Sequence, residues 1–239
     1  VTPSAAKAIV RSRGTVVAAL MVKRGEADAM LCGIVGKYQG KLKHVIDVLG
    51  IDPAVSAVSA MSVVISDKGP LFFTDTHVQN NPDAGQIAET ALQATFRMKL
   101  FGITPKVALV CHSNFGSSEA PSARKMREAL QLILKRAPRL EVEGEMHVDA
   151  ALKPEIRERL FPDSRLTGAA NLLVLPDLDA ANAAYNLTRV MTDGIGIGPV
   201  LMGMAKPAHV LTTSATVRRV VNMTAIAAVE AQIREQRGE

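Results

Sequence analysis

Residues Lys106 to Lys135 read KVALVCHSNFGSSEAPSARKMREALQLILK. An apolar run, Lys106 to Ser113, passes through a loop of asparagine, glycine and serine into a stretch of helical apolar spacing from about Pro121. A short apolar run bounded by turn residues is the pattern of a strand buried on both faces, and a helix directly after it is the return limb of a parallel crossover. The alternation repeats outward in both directions. Towards the N-terminus, Asp28 to Val35 (DAMLCGIV) is a strand followed by a helix over Lys37 to Leu49, and Ala57 to Ser66 and Pro70 to Thr76 form a hairpin about Asp67-Lys68-Gly69. A helix opened by Pro82 and Asp83 runs to about Leu100, with Ile87, Ala91, Leu92 and Phe96 on one face. Pro3, with Thr2 as cap, starts another helix. Towards the C-terminus, Glu141 to Leu152 alternates in part and reads as a strand with a polar edge. Asn171 to Pro176 is a short strand, Asp179 to Met191 a helix, Gly198 to Met204 the last strand and Thr216 to Arg234 the final helix. The pattern predicts an α/β protein with mainly parallel sheet.

Composition narrows the function. The 239 residues suffice for one large domain or two small ones. Aromatics are 3% with no Trp, which argues against a base-stacking surface. An excess of 28 Lys+Arg over 23 Asp+Glu gives a net charge of +5, scattered along the chain. That suits an anionic small molecule better than a phosphate backbone, so no nucleic-acid partner is expected. No apolar run reaches the roughly 18–20 residues of a membrane span, so no membrane partner is expected either. Cys32 and Cys111 lack metal or redox spacing and read as buried free thiols of a cytoplasmic protein. The start at Val1, inside helical sequence, reads as a fragment of a longer protein.

Three clusters have the residue types for chemistry. The first is His112-Ser113-Asn114-Phe115-Gly116-Ser117-Ser118, a loop that cradles phosphate on backbone N–H groups or whose serines, with Ser122, cap the helix. The second is Thr212-Thr213-Ser214-Ala215-Thr216 with Arg218 and Arg219. Two arginines in the first turns of a helix oppose its dipole, at about 0.3–1 kcal/mol each, and an anion would remove that penalty. The competing reading extends them into solvent or pairs them with carboxylates. The third joins Glu145 to Ala150, containing His147 and Asp149, with Ser164-Arg165-Leu166-Thr167-Gly168. Asn182, Tyr185 and Asn186 share a helix face and read as a core network. Met202 and Met204 read as core filler. Gly194 to Val200 (GIGIGPV) precedes a strand and does not join strand to helix, so it is no dinucleotide fingerprint.

The stretches EGEMHVDAAL (Glu143 to Leu152), SRLTGAANLLVLPDLDAANAAYNL (Ser164 to Leu187) and GPVLMGMAKPAHVLTTSATVRRVVNM (Gly198 to Met223) resemble the motifs of phosphate acetyltransferases. With RGEADAMLCG and HSNFGSSEAPSARKMREAL, the chain is more closely similar to the C-terminal phosphotransacetylase-like domain of large bacterial malic enzymes, NADP- or NAD-dependent. The resemblance implies two three-layer α/β lobes around a cleft, an architecture like that of isocitrate and isopropylmalate dehydrogenases. The first lobe would comprise residues 1–55 and 204–239, without its N-terminal part, and the second residues 56–203. It also implies a homodimer through the second lobe and larger homo-oligomers of the whole enzyme.

The departures from the family matter as much. Active members carry Ser-Arg-Gly-Cys after Lys-Pro, and an Asp before Ile-Val-Asn. Here the Ser and Arg positions are Thr212 and Thr213, and the Asp position, the presumed base for the coenzyme A thiol, is Arg219. Lys43, in GKLKH, stands for a further family arginine. An arginine does not accept a proton at neutral pH, and a general base contributes about 10²- to 10⁴-fold in rate. The resemblance therefore implies a regulatory module that binds acetyl-CoA, or CoA or acetyl phosphate, without its own chemistry. Its expected contacts are Lys43, Asn114, Ser117, Ser118, Arg165, Thr212, Thr213, Ser214, Arg218 and Arg219. No cofactor belongs to this chain; NADP or NAD and a divalent metal belong to the malate-decarboxylating part outside it. The alternatives are an active phosphate acetyltransferase and a structural oligomerisation domain.

Overall fold

A computed structural model describes residues 2–238. In chain order the elements begin α1 (Pro3–Ser12), α2 (Gly14–Lys23), β1 (Met30–Gly33), α3 (Tyr38–Leu49), β2 (Ser59–Ser66), β3 (Gly69–Thr74), α4 (Ala84–Leu100) and β4 (Lys106–Val110). They continue α5 (Pro121–Arg136), β5 (Glu141–Met146), α6 (Val148–Leu152), α7 (Pro154–Leu160), β6 (Leu172–Val174), α8 (Leu178–Met191), β7 (Ile195–Met202), β8 (Ala208–Leu211) and α9 (Val217–Arg237). They divide into two compact units, one ending at Val58 and resuming at Ile197, the other Ser59–Gly196. These boundaries lie 3 and 7 residues from the expected ones, because the chain changes unit inside β7 and not after it.

The second unit holds a mixed, mostly parallel sheet in the order β5-β4-β6-β3-β2-β7, whose last strand leaves this unit at Gly196. Strand periodicity of two sorts its side chains into rows. Phe72, Leu172, Val107 and Val142 are aligned across four strands, and so are Phe73, Leu173, Ala108 and Glu143. The second row joins a core with Val64, Val110, Met146, Ala150, Ala181 and Tyr185, under α6 and α8. Helices α4 and α5 pack on each other and on the sheet. Both faces are covered, as parallel strands require.

Local chemistry sets the element ends. Asp83 and Gln86 form a capping box at α4. The Asp67-Lys68-Gly69 turn joins β2 and β3 antiparallel, as expected. Four expectations are corrected. Glu141–Leu152 is not one strand: after Met146 the chain turns into α6, so Asp149 lies on a helix. The buried face of α4, which packs on α5 and the sheet, runs through Ile87, Ala91, Ala94 and Met98, with Leu92 half-buried and Phe96 exposed. Cys32 and Cys111 are half-buried, not buried; burial still pushes the Cys32 thiol up to about 11. Finally, β8 and the helices α2, α6 and α7 are elements that the sequence pattern did not single out.

In the first unit β1 and β8 pair in parallel, Met30 opposite Ala208 and Gly33 opposite Leu211. Helices α2, α3 and α9 pack on them. Gly33 has φ +106°, and a Cβ there would collide with the Leu211 backbone, so only glycine allows this approach. Val200, Leu211 and Met223 form a local core. Met202 and Met204 are buried as expected. Among the described residues no helix is long and apolar enough to cross a membrane.

After β3, Asp75 is buried and accepts the amides of His77 and Val78 on Oδ1 and of Gln79 on Oδ2. Burial pushes its carboxyl up to about 6, against these hydrogen bonds, which lower it. A carboxyl with a raised folded-state pKa favours the protonated form in the native state. Its contribution to stability is therefore present near pH 4 and lost as pH rises through about 6. The loss is on the order of 3 kcal/mol. Urea unfolding of the chain and of Asp75→Asn at pH 4.5 and pH 7 is expected to show about 2 kcal/mol of this loss in the first protein only; the same change with pH in both would contradict it.

Candidate functional site

The sequence-predicted residues fall into two groups, one in each unit. In the first unit, β8 ends at Leu211 and the chain turns through Thr212–Ala215 into α9. Thr216 caps that helix, accepting the Arg219 amide at 3.2 Å. Arg219 therefore starts its side chain inside the first turn and folds it inward, leaving it only 6% exposed. Its Nη1 lies 3.4 Å from both Thr212 Oγ1 and Ser214 Oγ, which are themselves 3.0 Å apart. These are long contacts for a charged donor. The Nε is buried with no hydrogen-bond partner, and no carboxylate pairs with Arg219 among the described residues.

The competing solvent reading thus holds for Arg218, which is exposed, and is overturned for Arg219. Thr213 is exposed beside them. Lys43 lies on the exposed face of α3, its Nζ 3.1 Å from Asp47 one helical turn on, so its charge is already partnered. A pocket of about 870 Å³ in the same unit opens by Met30 and Pro207, at the other ends of β1 and β8, and includes none of these residues.

In the second unit the loop after β4 is built on charge. Glu145, at the edge strand β5, is fully buried. Its Oε1 accepts from Ser113 Oγ at 2.6 Å, the Gly116 amide at 2.9 Å and Arg127 Nη1 at 3.0 Å. Burial raises the pKa of this carboxyl, but these donors outweigh it and hold it below the usual range. Arg127 also donates to the Ser118 carbonyl and to Glu119. Ser117 and Ser118 therefore lie together on a tightly tied loop. None of the serines caps α5, whose N-cap is Ala120 without a side-chain bond, so that reading is corrected. His112 Nε2 lies 3.3 Å from Ser118 Oγ, and its Nδ1 lies 3.4 Å from Ser122 Oγ.

Two predicted contacts are turned to structural work. Asn114 Oδ1 accepts the His147 amide at 2.8 Å. Arg165 donates from Nη2 to the Pro138 carbonyl, while its amide meets Glu143. Arg165 does share a pocket of about 640 Å³ with Phe115, Gly116, Arg127, Glu145 and Phe161. Glu128, Glu143 and Asp163 also line it, so acids exceed bases and the pocket disfavours a polyphosphate. Asn186 Nδ2 donates to Asn182 Oδ1, and Asn182 Nδ2 donates to the Thr76 carbonyl; the two amides form a network as expected, but it is half-buried and Tyr185 packs in the core beside it.

Ser113 and Glu145 lay in the candidate clusters but not among the expected contacts, and Arg127 and Arg157 were in neither. The alternating acids of Glu141–Glu145 carried a signal, since half of such positions face the core. Arg157 is fully buried and donates to the carbonyls of Ala150, Leu166 and Gly168, fixing the segment that carries Arg165. Among the described residues no group of three or more His, Cys, Asp or Glu is placed to hold a metal ion.

The chain matches the family described as phosphate acetyl/butaryl transferase over residues 1–228. It is 52% identical to the NAD-dependent malic enzyme of Rhizobium meliloti (strain 1021), over 96% of this chain and 30% of that protein. It is 51% identical to the NADP-dependent malic enzyme of Escherichia coli (strain K12), over 97% and 31%. The chain thus spans under a third of the length of these relatives. Its fold is similar to a phosphotransacetylase from Streptococcus pyogenes, with a TM-score of 0.86 and 29% identity, covering 91% of this chain and 67% of that one.

Arg157→Met would leave three carbonyls without their charged donor. It is expected to lower stability by roughly 2–4 kcal/mol. Denaturant unfolding with an unchanged slope would report this, and a loss under about 1 kcal/mol would remove Arg157 from that role.

Proposed function

Because the chain belongs to the phosphate acetyl/butaryl transferase family, we propose that it is the acetyl-CoA-binding regulatory module of a cytoplasmic malic enzyme and has no transferase chemistry of its own. The malic enzyme relatives support that parentage. Oxidative decarboxylation of malate to pyruvate, with NADP or NAD and a divalent metal, would then belong to the part outside this chain. Acetyl-CoA signals surplus carbon, so its binding here would restrain malate consumption, through unequal affinity for two states of the assembly.

The observation that carries this reading is Arg219. A guanidinium 6% exposed, with an unpartnered Nε and only long contacts to Thr212 and Ser214, is an unfinished cation at the head of a 21-residue helix. Burying a charge without a partner is costly, and an incoming phosphoryl or carboxylate group removes that cost. The same residue argues against turnover, because it stands where a base is needed and does not accept a proton.

The homodimer expected through the second unit has support in α8. Ala183, Leu187, Val190 and Met191 recur on its outer face, the last three 64%, 70% and 76% exposed. An antiparallel pair of α8 helices about a two-fold axis near Leu187 sets the small Ala183 of one copy against the long Met191 of the other. Together the copies would withdraw on the order of 1,000 Å², the lower bound for a specific interface. Leu187→Asp is expected to convert the dimer to monomer in sedimentation velocity; an unchanged dimer would place the interface elsewhere.

Calorimetric titration with acetyl-CoA, without and with phosphate, tests the main reading. Saturable heat that is equal in both is expected. Arg219→Ala should weaken it about ten- to a hundredfold, and the exposed Arg218→Ala by less than about threefold. Continuing heat only with phosphate would establish acyl transfer, and no heat in either would remove the binding module.

A further inference from the structure

The hydroxyls that follow β4 are not interchangeable, and the donors and acceptors around them say why. An ionised carboxylate only accepts, so the 2.6 Å bond between Ser113 and Glu145 uses the single Ser113 hydroxyl proton. Ser113 Oγ also accepts the Ser118 amide at 3.1 Å. The 3.1 Å contact between Ser113 and Ser117 must then run from Ser117 to Ser113, because Ser113 has no proton left to give. Ser117 Oγ in turn accepts the Asn114 amide at 3.0 Å. With its proton turned inward, Ser117 has only a lone pair to show a ligand, and a phosphoryl oxygen is itself an acceptor. Ser118 differs: its Oγ accepts the Ala120 amide and lies 3.3 Å from His112 Nε2, and in the His112 tautomer that carries its proton on Nε2 the Ser118 hydroxyl proton is free for a ligand.

We propose that Glu145 is the positioning residue of the 113–118 loop: it holds the loop through Ser113, Gly116 and Arg127, and through Ser113 it turns the Ser117 proton inward, which leaves Ser118, beside the Nε2-protonated tautomer of His112, as the donor offered to a ligand. The carboxylate reaches both ends of the loop at once. It binds the Ser113 side chain and the Gly116 amide, its own carbonyl accepts the Phe115 amide at 2.8 Å, and Arg127 links it to the Ser118 carbonyl. The identity of the ligand rests on the acetyl-CoA reading above; the positioning does not.

Hydrogen–deuterium exchange on the full, ligand-free chain tests the positioning. In Glu145→Gln the peptide over residues 112–120 is expected to exchange at least about tenfold faster, with β2 unchanged. Unchanged exchange over the loop overturns the proposal, and so does acceleration spread evenly over the chain. Should Glu145→Gln fail to fold, Ser113→Ala removes only the bridging hydroxyl and must produce the same local acceleration. Acetyl-CoA titration then separates the hydroxyls: Ser118→Ala is expected to weaken binding about tenfold and Ser117→Ala less than twofold, at unchanged thermal stability. Equal losses overturn the assignment of the donor. A parent chain that binds no acetyl-CoA overturns the binding reading and the role of Ser118 with it, whereas Glu145 still stands or falls on the exchange result.

Discussion

Parallel strands covered on both faces have nowhere to place polar groups except at their ends and at the sheet's edge, and the polar chemistry of this chain follows from that constraint. The rows through Phe72 and Phe73 leave no room for charge in the middle of the second unit's sheet. Charge gathers instead at strand ends, as with Asp75 after β3, and on β5, the edge strand that carries Glu143 and Glu145. In the first unit the same geometry sends β8 straight into the hydroxyl turn and the head of α9.

Three buried charges then meet their desolvation cost in different ways. Glu145 has three donors on one oxygen and a guanidinium among them, which keeps it ionised. Among the described residues Arg157 has no carboxylate partner and is held by three carbonyls, with its Nε buried and unpartnered. Arg219 has neither arrangement in full, because its hydroxyl contacts are long and its Nε is unpartnered. The first two are held by several short hydrogen bonds that stiffen the loops they touch, although Glu145 Oε2 and Arg157 Nε are, like Arg219 Nε, buried without a partner. The third is open, and an open buried charge is where a ligand has most to contribute.

For a member of a transferase family, the consequence is a division between binding and chemistry. Acyl transfer to or from a thiol needs a group that takes and returns a proton. A guanidinium at the head of α9 strengthens the hold on an anion and does nothing for proton transfer. In the proposed function, the turn after β8 keeps its hydroxyls and the dipole of α9 and exchanges turnover for recognition. In the second unit, the loop at the end of β4 carries neutral hydroxyls, of which Ser113 and Ser117 are tied to the Glu145 carboxylate.

Most of the order of elements, the β2–β3 hairpin, the cap at Thr2 and the starts of α4 at Asp83 and α9 at Thr216 were legible in the sequence, because each depends on residues within a few positions of one another, whereas β8, α2, α6 and α7 were not. The motifs from Glu143 to Met223 also carried the family. What lay beyond the sequence was which polar side chains turn inward. Glu145 and Ser113 are 32 residues apart, and Lys106 and Asn171 are 65 apart; no periodicity announces such pairs. For the same reason Glu141–Leu152 looked like one alternating strand, although the chain leaves the sheet at Met146 and the next residues close a helix. Arg218 and Arg219 were alike as sequence neighbours, and only the packing of α9 buried one and left the other in solvent. Local propensity depends on nearest neighbours along the chain, whereas burial and hydrogen-bond direction depend on neighbours in space, which exist only once the sheet and its helices have closed.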